Sequence, residues 1–270
     1  MSGLAPGLVS ALGVFALLML GPPARAAAPS PQGWDSLLAA CVLDINDGAS
    51  TAVDYDCFAA RRDELRAYLD SLSGIDTEAF TALNRDARLA FLINAYNAWT
   101  VELILTAWPD LDSIRDLGGL FSSPWKKEFI PLLGSTLSLD DIEHGMIRKA
   151  GSYDEPRIHF AVNCASIGCP ALRREAYRGD RLEAQLEDQT VRFLADRSRN
   201  RLRNNRLEVT SLFKWYGDDF ATGWRGATTL RGFLGLYATA LDLDEAARSD
   251  LESGALKLRF LDYDWSLNRR

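Results

Sequence analysis

The chain carries only two histidines, His144 and His159, and four cysteines, Cys41, Cys57, Cys164 and Cys169. Cys164, His144 and Glu143 are the parts of a thiol catalyst: a sulfur nucleophile, an imidazole to take its proton and a carboxylate to orient the imidazole. His159 lies five residues before Cys164 and would need the intervening loop to fold back, so His144 is the better base. The loop Cys164-Ala-Ser-Ile-Gly-Cys169 is built of small residues whose backbone N–H groups could hold an oxyanion. Such a set would hydrolyse or transfer the acyl group of an amide or peptide. The opposing reading starts from the even cysteine count. Cys164 and Cys169 could close a disulfide across Gly168, and Cys41 and Cys57 are expected to join across the polar stretch 44–56. A cysteine held in that way is no nucleophile. The polar residues around it would then serve a non-catalytic binding groove, with Asn94, Tyr96, Asn97 and Asn163 as the contacts and Trp99, Trp108, Trp125, Trp215 and Trp265 available as an aromatic lining. Two histidines and two cysteines are also a set that zinc accepts, but the Cys-x4-Cys spacing is loose and the histidines are scattered, so no metal is assigned.

These residues sit on recognisable elements. Trp34 to Leu43 reads as a short helix, and Leu65, Tyr68, Leu69 and Leu72 recur at helical spacing up to Gly74. The strongest element runs from Asp86 to Thr106, ended by Trp108-Pro109; it is apolar on most sides, so Asn94 and Asn97 should face packed protein. Phe129-Ile130 and Thr136-Leu137 should pair as short strands around Gly134. Ser138, with Asp141 three residues on, should open the helix that carries Glu143 and His144. Arg157 to Asn163 alternates between apolar and polar residues and predicts a strand running into the Cys164 loop. Asp180 with Glu183 should cap the next helix. Arg201 to Val209 predicts a hairpin turning on Asn204-Asn205, followed by helices near 212–216, 230–237 and 245–251 and a strand over 256–260. The sum is a mainly helical α+β domain with a small antiparallel sheet. Asp44 to Gly48 superficially suggests a calcium loop, but its glycine comes at the fifth position and no glutamate stands at the twelfth, so that reading fails.

Four segments in order resemble the hallmarks of the domain-of-unknown-function family 547: Phe91-Leu-Ile-Asn-Ala-Tyr-Asn-Ala98, Leu139-Asp-Asp-Ile-Glu-His144, Arg157-Ile-His-Phe-Ala-Val-Asn-Cys-Ala-Ser-Ile-Gly-Cys-Pro170 and Phe260-Leu-Asp-Tyr-Asp-Trp-Ser-Leu-Asn268. The resemblance spans about residues 34–268 and implies one globular domain over that range. Bacterial members of that family are often exported, and it has no settled activity, so the name implies a domain and not a mechanism.

The first residues bear on location. Leu8 to Leu20 is apolar apart from Ser10 and Gly13, and it is followed by Gly21-Pro22-Pro23 and Ala24-Arg25-Ala26. A short apolar core, a helix breaker and a small-x-small triplet make residues 1–26 a secretion signal, too short for the ~20 residues that span a bilayer. The mature protein is expected to be soluble, without a membrane anchor, in the periplasm or outside the cell. An excess of 37 acidic over 30 basic side chains, a net charge of −7, argues against nucleic acid as a partner. The partner is therefore expected to be a small molecule, a peptide or a protein. No cofactor is expected: the chain has no G-x-G-x-x-G after a strand, no phosphate-binding lysine loop, no H-E-x-x-H and no G-x-S-x-G.

Overall fold

The computed structural model describes residues 1, 3, 30–119 and 122–270, so the expected signal falls almost wholly outside the described residues. The helices are α1 (Gln32–Cys41), α2 (Tyr55–Ala60), α3 (Arg62–Ser73), α4 (Thr77–Ala82), α5 (Arg85–Leu105), α6 (Leu182–Ala195), α7 (Leu212–Trp215), α8 (Leu230–Leu236) and α9 (Glu245–Ser253). The strands are β1 (Val42–Ile45), β2 (Ser50–Val53), β3 (Ile130–Leu132), β4 (Ser135–Leu137), β5 (Arg201–Arg203), β6 (Arg206–Val209) and β7 (Lys257–Phe260). This is the expected α+β class. Antiparallel pairing holds in β1–β2, β3–β4 and β5–β6, while β7 joins β6 in parallel. Among the described residues no helix is long and apolar enough to cross a membrane.

Local chemistry explains the elements that hold. The side chain of Asn84 accepts the Ala87 N–H at 2.8 Å and starts α5, satisfying one of the donors that a helix leaves open at its first turn. The helix is then buried on nearly every side, Asn94 and Asn97 included. Between β5 and β6 both Asn204 and Asn205 take positive φ, 50° and 54°, the backbone of the two-residue turn that matches strand twist. The stretch 44–56, expected as a polar loop, is instead the β1–β2 hairpin followed by the start of α2, with the Cys41–Cys57 disulfide across its base.

Two further expectations fail, both because a side chain is committed elsewhere. Residues 157–163 are not a strand: Pro156–Phe160 is a 3-10 helix. The alternation suggested one wet face, but Arg157, Ile158, His159 and Phe160 are all buried. A turn of three residues points them in successive directions; Ile158 enters a large core built around α1, α3 and α5, and Phe160 enters a second, aromatic core with Phe193, Phe213, Phe220 and Phe233. Asp180 and Glu183 do not cap α6, whose preceding residue Arg181 makes no side-chain cap. The Glu183 carboxylate is held by Arg157 instead, at 2.6 Å.

Candidate functional site

The π-helix Asp141–Ile147 starts from the expected cap, in which the Asp141 carboxylate accepts from Ser138 N–H (2.8 Å) and Ser138 Oγ accepts from Asp141 N–H (3.1 Å). It places Asp140, Glu143 and His144 along one side of a cleft of about 300 Å³. Tyr96 comes to that cleft from α5, Trp215 and Tyr216 from α7 and the residue after it, Trp125 from the 3-10 helix Pro124–Lys126, and Cys164, Tyr263 and Trp265 from loops. The aromatic rings pack on one another: Trp215 stacks with Trp265 at 5.7 Å, and Tyr263 lies 4.5 Å from Trp265.

The predicted site residues divide into two groups. Cys164, His144, Glu143 and Tyr96 meet at the cleft. Asn94, Asn97 and Asn163 lie outside it and brace backbone. Asn94 donates to Tyr177 O and accepts from Tyr177 N–H (2.8 and 2.9 Å). Asn97 donates to Ala161 O (3.0 Å) and accepts from Asn163 N–H (2.8 Å). Asn163 donates to Pro170 O (2.7 Å) and accepts from Ala165 N–H (2.9 Å). Asn97 and Asn163, satisfied in this way, fix the loop that carries Cys164, and Asn94 fixes the chain beyond it at Tyr177. Of the tryptophans, Trp125, Trp215 and Trp265 line the cleft, whereas Trp108 donates to Asp56 (2.8 Å) and Trp99 packs edge-on against Phe129.

Cys164 is bonded to Cys169. The hydroxyls nearest its sulfur are those of Tyr263 and Ser166, at 3.2 and 3.3 Å. The loop is docked by the tail: Ile167 N–H donates to Ser266 O and Gly168 N–H to Asp264 O, each at 2.8 Å. The same tail carries Tyr263 and Trp265 to the cleft, and Gly168 is required there because a Cβ would stand 2.8 Å from the Tyr263 ring. His144 is engaged on both ring nitrogens. Arg148 lies 2.6 Å from Nδ1 and Asp140 3.5 Å from Nε2, which assigns the proton to Nε2 because a guanidinium can only donate. His159 is not at the cleft. It is buried behind Tyr216, stacked on that ring at 4.2 Å, with Nε2 2.7 Å from Asp219. Burial lowers its pKa against the pull of Asp219, so the neutral ring donates. Burial also opposes the charge on Asp219, but hydrogen bonds from His159 and Arg148 prevail and hold its carboxyl well below the usual range. Burial, and the nearby Glu143 charge, push the phenols of Tyr96 and Tyr216 up. Among the described residues no group of three or more His, Cys, Asp or Glu is gathered to hold a metal.

Glu143 is the unusual member. It is 7% exposed, yet among the described residues its one ion-pair neighbour is the His144 ring, at 4.0 Å. Asp219 behind the cleft is matched, held by Arg148 through two bonds of 2.7 and 3.1 Å; Asp140 at the rim, like Glu143, has only the His144 ring among the described residues, at 3.5 Å. A larger groove of about 740 Å³ lies over Asp44, Arg173, Arg174 and Arg192, but these four are paired, Asp44 with both Arg174 and Arg192 and Arg173 with Glu175 and Asp188. Arg148, Tyr216, Asp219 and Tyr263 were not singled out by sequence reasoning. Tyr263 stands in a hallmark motif, while the other three carry no local signal.

No curated protein and no solved structure matches the chain. Residues 80–194 match the family model described as protein of unknown function, DUF547, a span that includes Tyr96, Glu143, His144 and Cys164 but not the aromatic wall from Trp215 to Trp265. Three of the four hallmark segments, residues 91–98, 139–144 and 157–170, lie within that match, and the fourth, 260–268, lies outside it.

Proposed function

We propose that this protein is an exported binding domain whose cleft takes a small molecule, or the side chain of a peptide, that bears a positive charge on an apolar body. The observation that carries the reading is Glu143: a carboxylate nine-tenths buried, without a lysine or arginine within ion-pair distance among the described residues, at a cleft walled by Tyr96, Trp215, Tyr216, Tyr263 and Trp265. The phenols of Tyr96 and Tyr216 hydrogen-bond to this carboxylate but bring no counter-charge; a buried charge without one is costly, and a cation entering the cleft would supply it. The rings add cation–π attraction of about 0.5–2 kcal/mol each where water is excluded. Export is supported by the apolar leader and by two disulfides, bonds that persist in oxidising compartments. Titration of tryptophan fluorescence with alkyl-trimethylammonium ions and their neutral tert-butyl isosteres tests the reading. The cation should bind at least roughly tenfold tighter, a difference of about 1.4 kcal/mol; Glu143→Gln should abolish the preference and Trp215→Ala should weaken both ligands. Equal binding of the neutral isostere would sink it.

A second reading has one observation in its favour: Cys164, His144 and Glu143 reach the same cleft. As a thiol hydrolase of amides the protein would need Cys164 released from Cys169 and His144 released from Arg148. Hydrolysis of model peptides by the reduced protein, lost in Cys164→Ser, would replace the binding reading by this one.

A further inference from the structure

We infer that the Cys164–Cys169 disulfide is a site of thiol–disulfide exchange, entered from the cleft by a small thiolate that attacks Cys164 and expels Cys169. The inference goes beyond ligand binding and does not depend on the charge of any ligand. It rests on an asymmetry between the two sulfurs. Cys164 is half-buried and lines the cleft; Cys169 is 3% exposed and does not. Exchange requires the attacking sulfur to reach one sulfur while the other leaves, so access alone selects Cys164 as the electrophile.

The leaving side is equipped for charge. The Cys164 backbone N–H donates to Cys169 Sγ at 2.9 Å and is the donor that distinguishes the two sulfurs, while the hydroxyls of Tyr263 and Ser166 lie 3.3 and 3.4 Å from Cys169 and 3.2 and 3.3 Å from Cys164, within reach of either. Donors aimed at a sulfur favour its thiolate, and a better-stabilised thiolate leaves faster. Burial acts the other way, so the donors are needed rather than incidental. Gly168 lets the Tyr263 ring close over the loop, and the docked tail keeps that hydroxyl against both sulfurs, 3.2 Å from Cys164 and 3.3 Å from Cys169.

The step balances as follows. A thiolate RS⁻ forms a bond to Cys164 Sγ; the Cys164–Cys169 bond breaks, its electron pair leaves on Cys169 Sγ, and the proton lost by the incoming thiol is returned to that sulfur. A second thiolate attacks the R sulfur of the mixed disulfide and releases Cys164. The sum is two RSH oxidised to RSSR while the protein disulfide is reduced to a dithiol; the reverse run reduces a small disulfide. The Cys41–Cys57 bond is an internal control. Cys41 is fully buried; Cys57 is half-buried like Cys164, but it does not line this cleft, and neither sulfur has a hydrogen-bond donor among the described residues.

The test treats the native protein with 2-mercaptoethanol, quenches with acid, alkylates free thiols and maps the peptides by mass. Opening at Cys164–Cys169 should run at least roughly tenfold faster than at Cys41–Cys57, with the mixed disulfide found on Cys164. Tyr263→Phe should slow the first and leave the second unchanged. In a second arm, Cys169→Ser and Cys164→Ser are each exposed to 2-hydroxyethyl disulfide, and the adduct should form at least roughly tenfold faster on Cys164 than on Cys169. Equal opening of the two disulfides in the native protein, or adducts formed as readily on Cys169, would overturn the inference. Neither result would touch the ammonium titration, so the two proposals fail separately.

Discussion

Arg157 offers the sharpest test of how the two cores are joined. It is 1% exposed, between Ile158 and Phe160 on one side and α6 on the other. Its guanidinium donates to Glu155 (2.8 and 2.7 Å), Glu183 (2.9 and 2.6 Å) and Glu187 (3.0 Å), and lies 4.7 Å from the centre of the Trp224 ring. Arg157→Met keeps most of the volume and removes the charge. The cost follows from what is left behind. Glu183 and Glu187 have side chains 69% and 37% exposed and keep Arg225 as a partner, so water and Arg225 satisfy them. The Glu155 side chain is 8% exposed and loses its two guanidinium bonds. Stranding one buried carboxylate costs about 3–5 kcal/mol, a fall in melting temperature on the order of 10 °C for a domain of this size. Urea unfolding followed by circular dichroism measures it. Glu155→Gln combined with Arg157→Met should recover part of the loss, because the stranded charge is gone. If Arg157→Met unfolds within about 1 kcal/mol of the parent, the joint is not electrostatic and the reasoning fails.

Two further outcomes are expected. Because the folded-state pKa of His159 is lowered by burial, the ring is neutral in both states above its unfolded value of about 6.5. As the pH falls below that value the unfolded chain takes up a proton that the folded one does not, so stability should decline, and decline again below about pH 4, where the unfolded Asp219 protonates first. Urea midpoints across pH 7.5 to 3.5 should show both arms, with the upper one flattened in His159→Gln. Removal of the other disulfide by Cys41→Ala with Cys57→Ala, sixteen residues apart, should cost about 3 kcal/mol from the freed loop; a loss under about 1 kcal/mol in the same assay would mean that the β1–β2 hairpin already constrains the unfolded chain.

Elements whose causes are local were legible in the sequence. The Asn204-Asn205 turn, the Ser138–Asp141 cap and α5 each follow from a few adjacent residues. Pro156–Phe160 was not, because alternation reports a strand only where one face meets solvent, and here Arg157 and His159 are buried by partners that lie 26 and 60 residues away, Glu183 and Asp219. The candidate site shows the same division. Residue type brought Cys164, His144, Glu143 and Tyr96 to notice, and they share a cleft. Type does not reveal direction: Asn94, Asn97 and Asn163 stand out equally as polar residues in apolar surroundings, and their amides bond backbone outside this cleft. Arg148 and Asp219 were missed because an ion pair across 71 residues leaves no trace in spacing.

The π-helix that presents Glu143 and His144 makes chain length, and not only side-chain chemistry, a variable of the site. In an α-helix neighbouring side chains diverge by ~100°, a wider angle than in a π-turn. The wider turn closed by Arg148 N–H donating to Glu143 O at 2.8 Å brings consecutive residues closer to one side. Its ends are anchored independently, by Ser138 at the start and by the Arg148–Asp219 pair at the finish. Loss of a single residue between Asp141 and Ile147 would let the segment relax to an ordinary α-turn with both anchors kept and the fold intact. The carboxylate and the imidazole would then change their angle to each other, while the cleft kept its aromatic walls and Asp140.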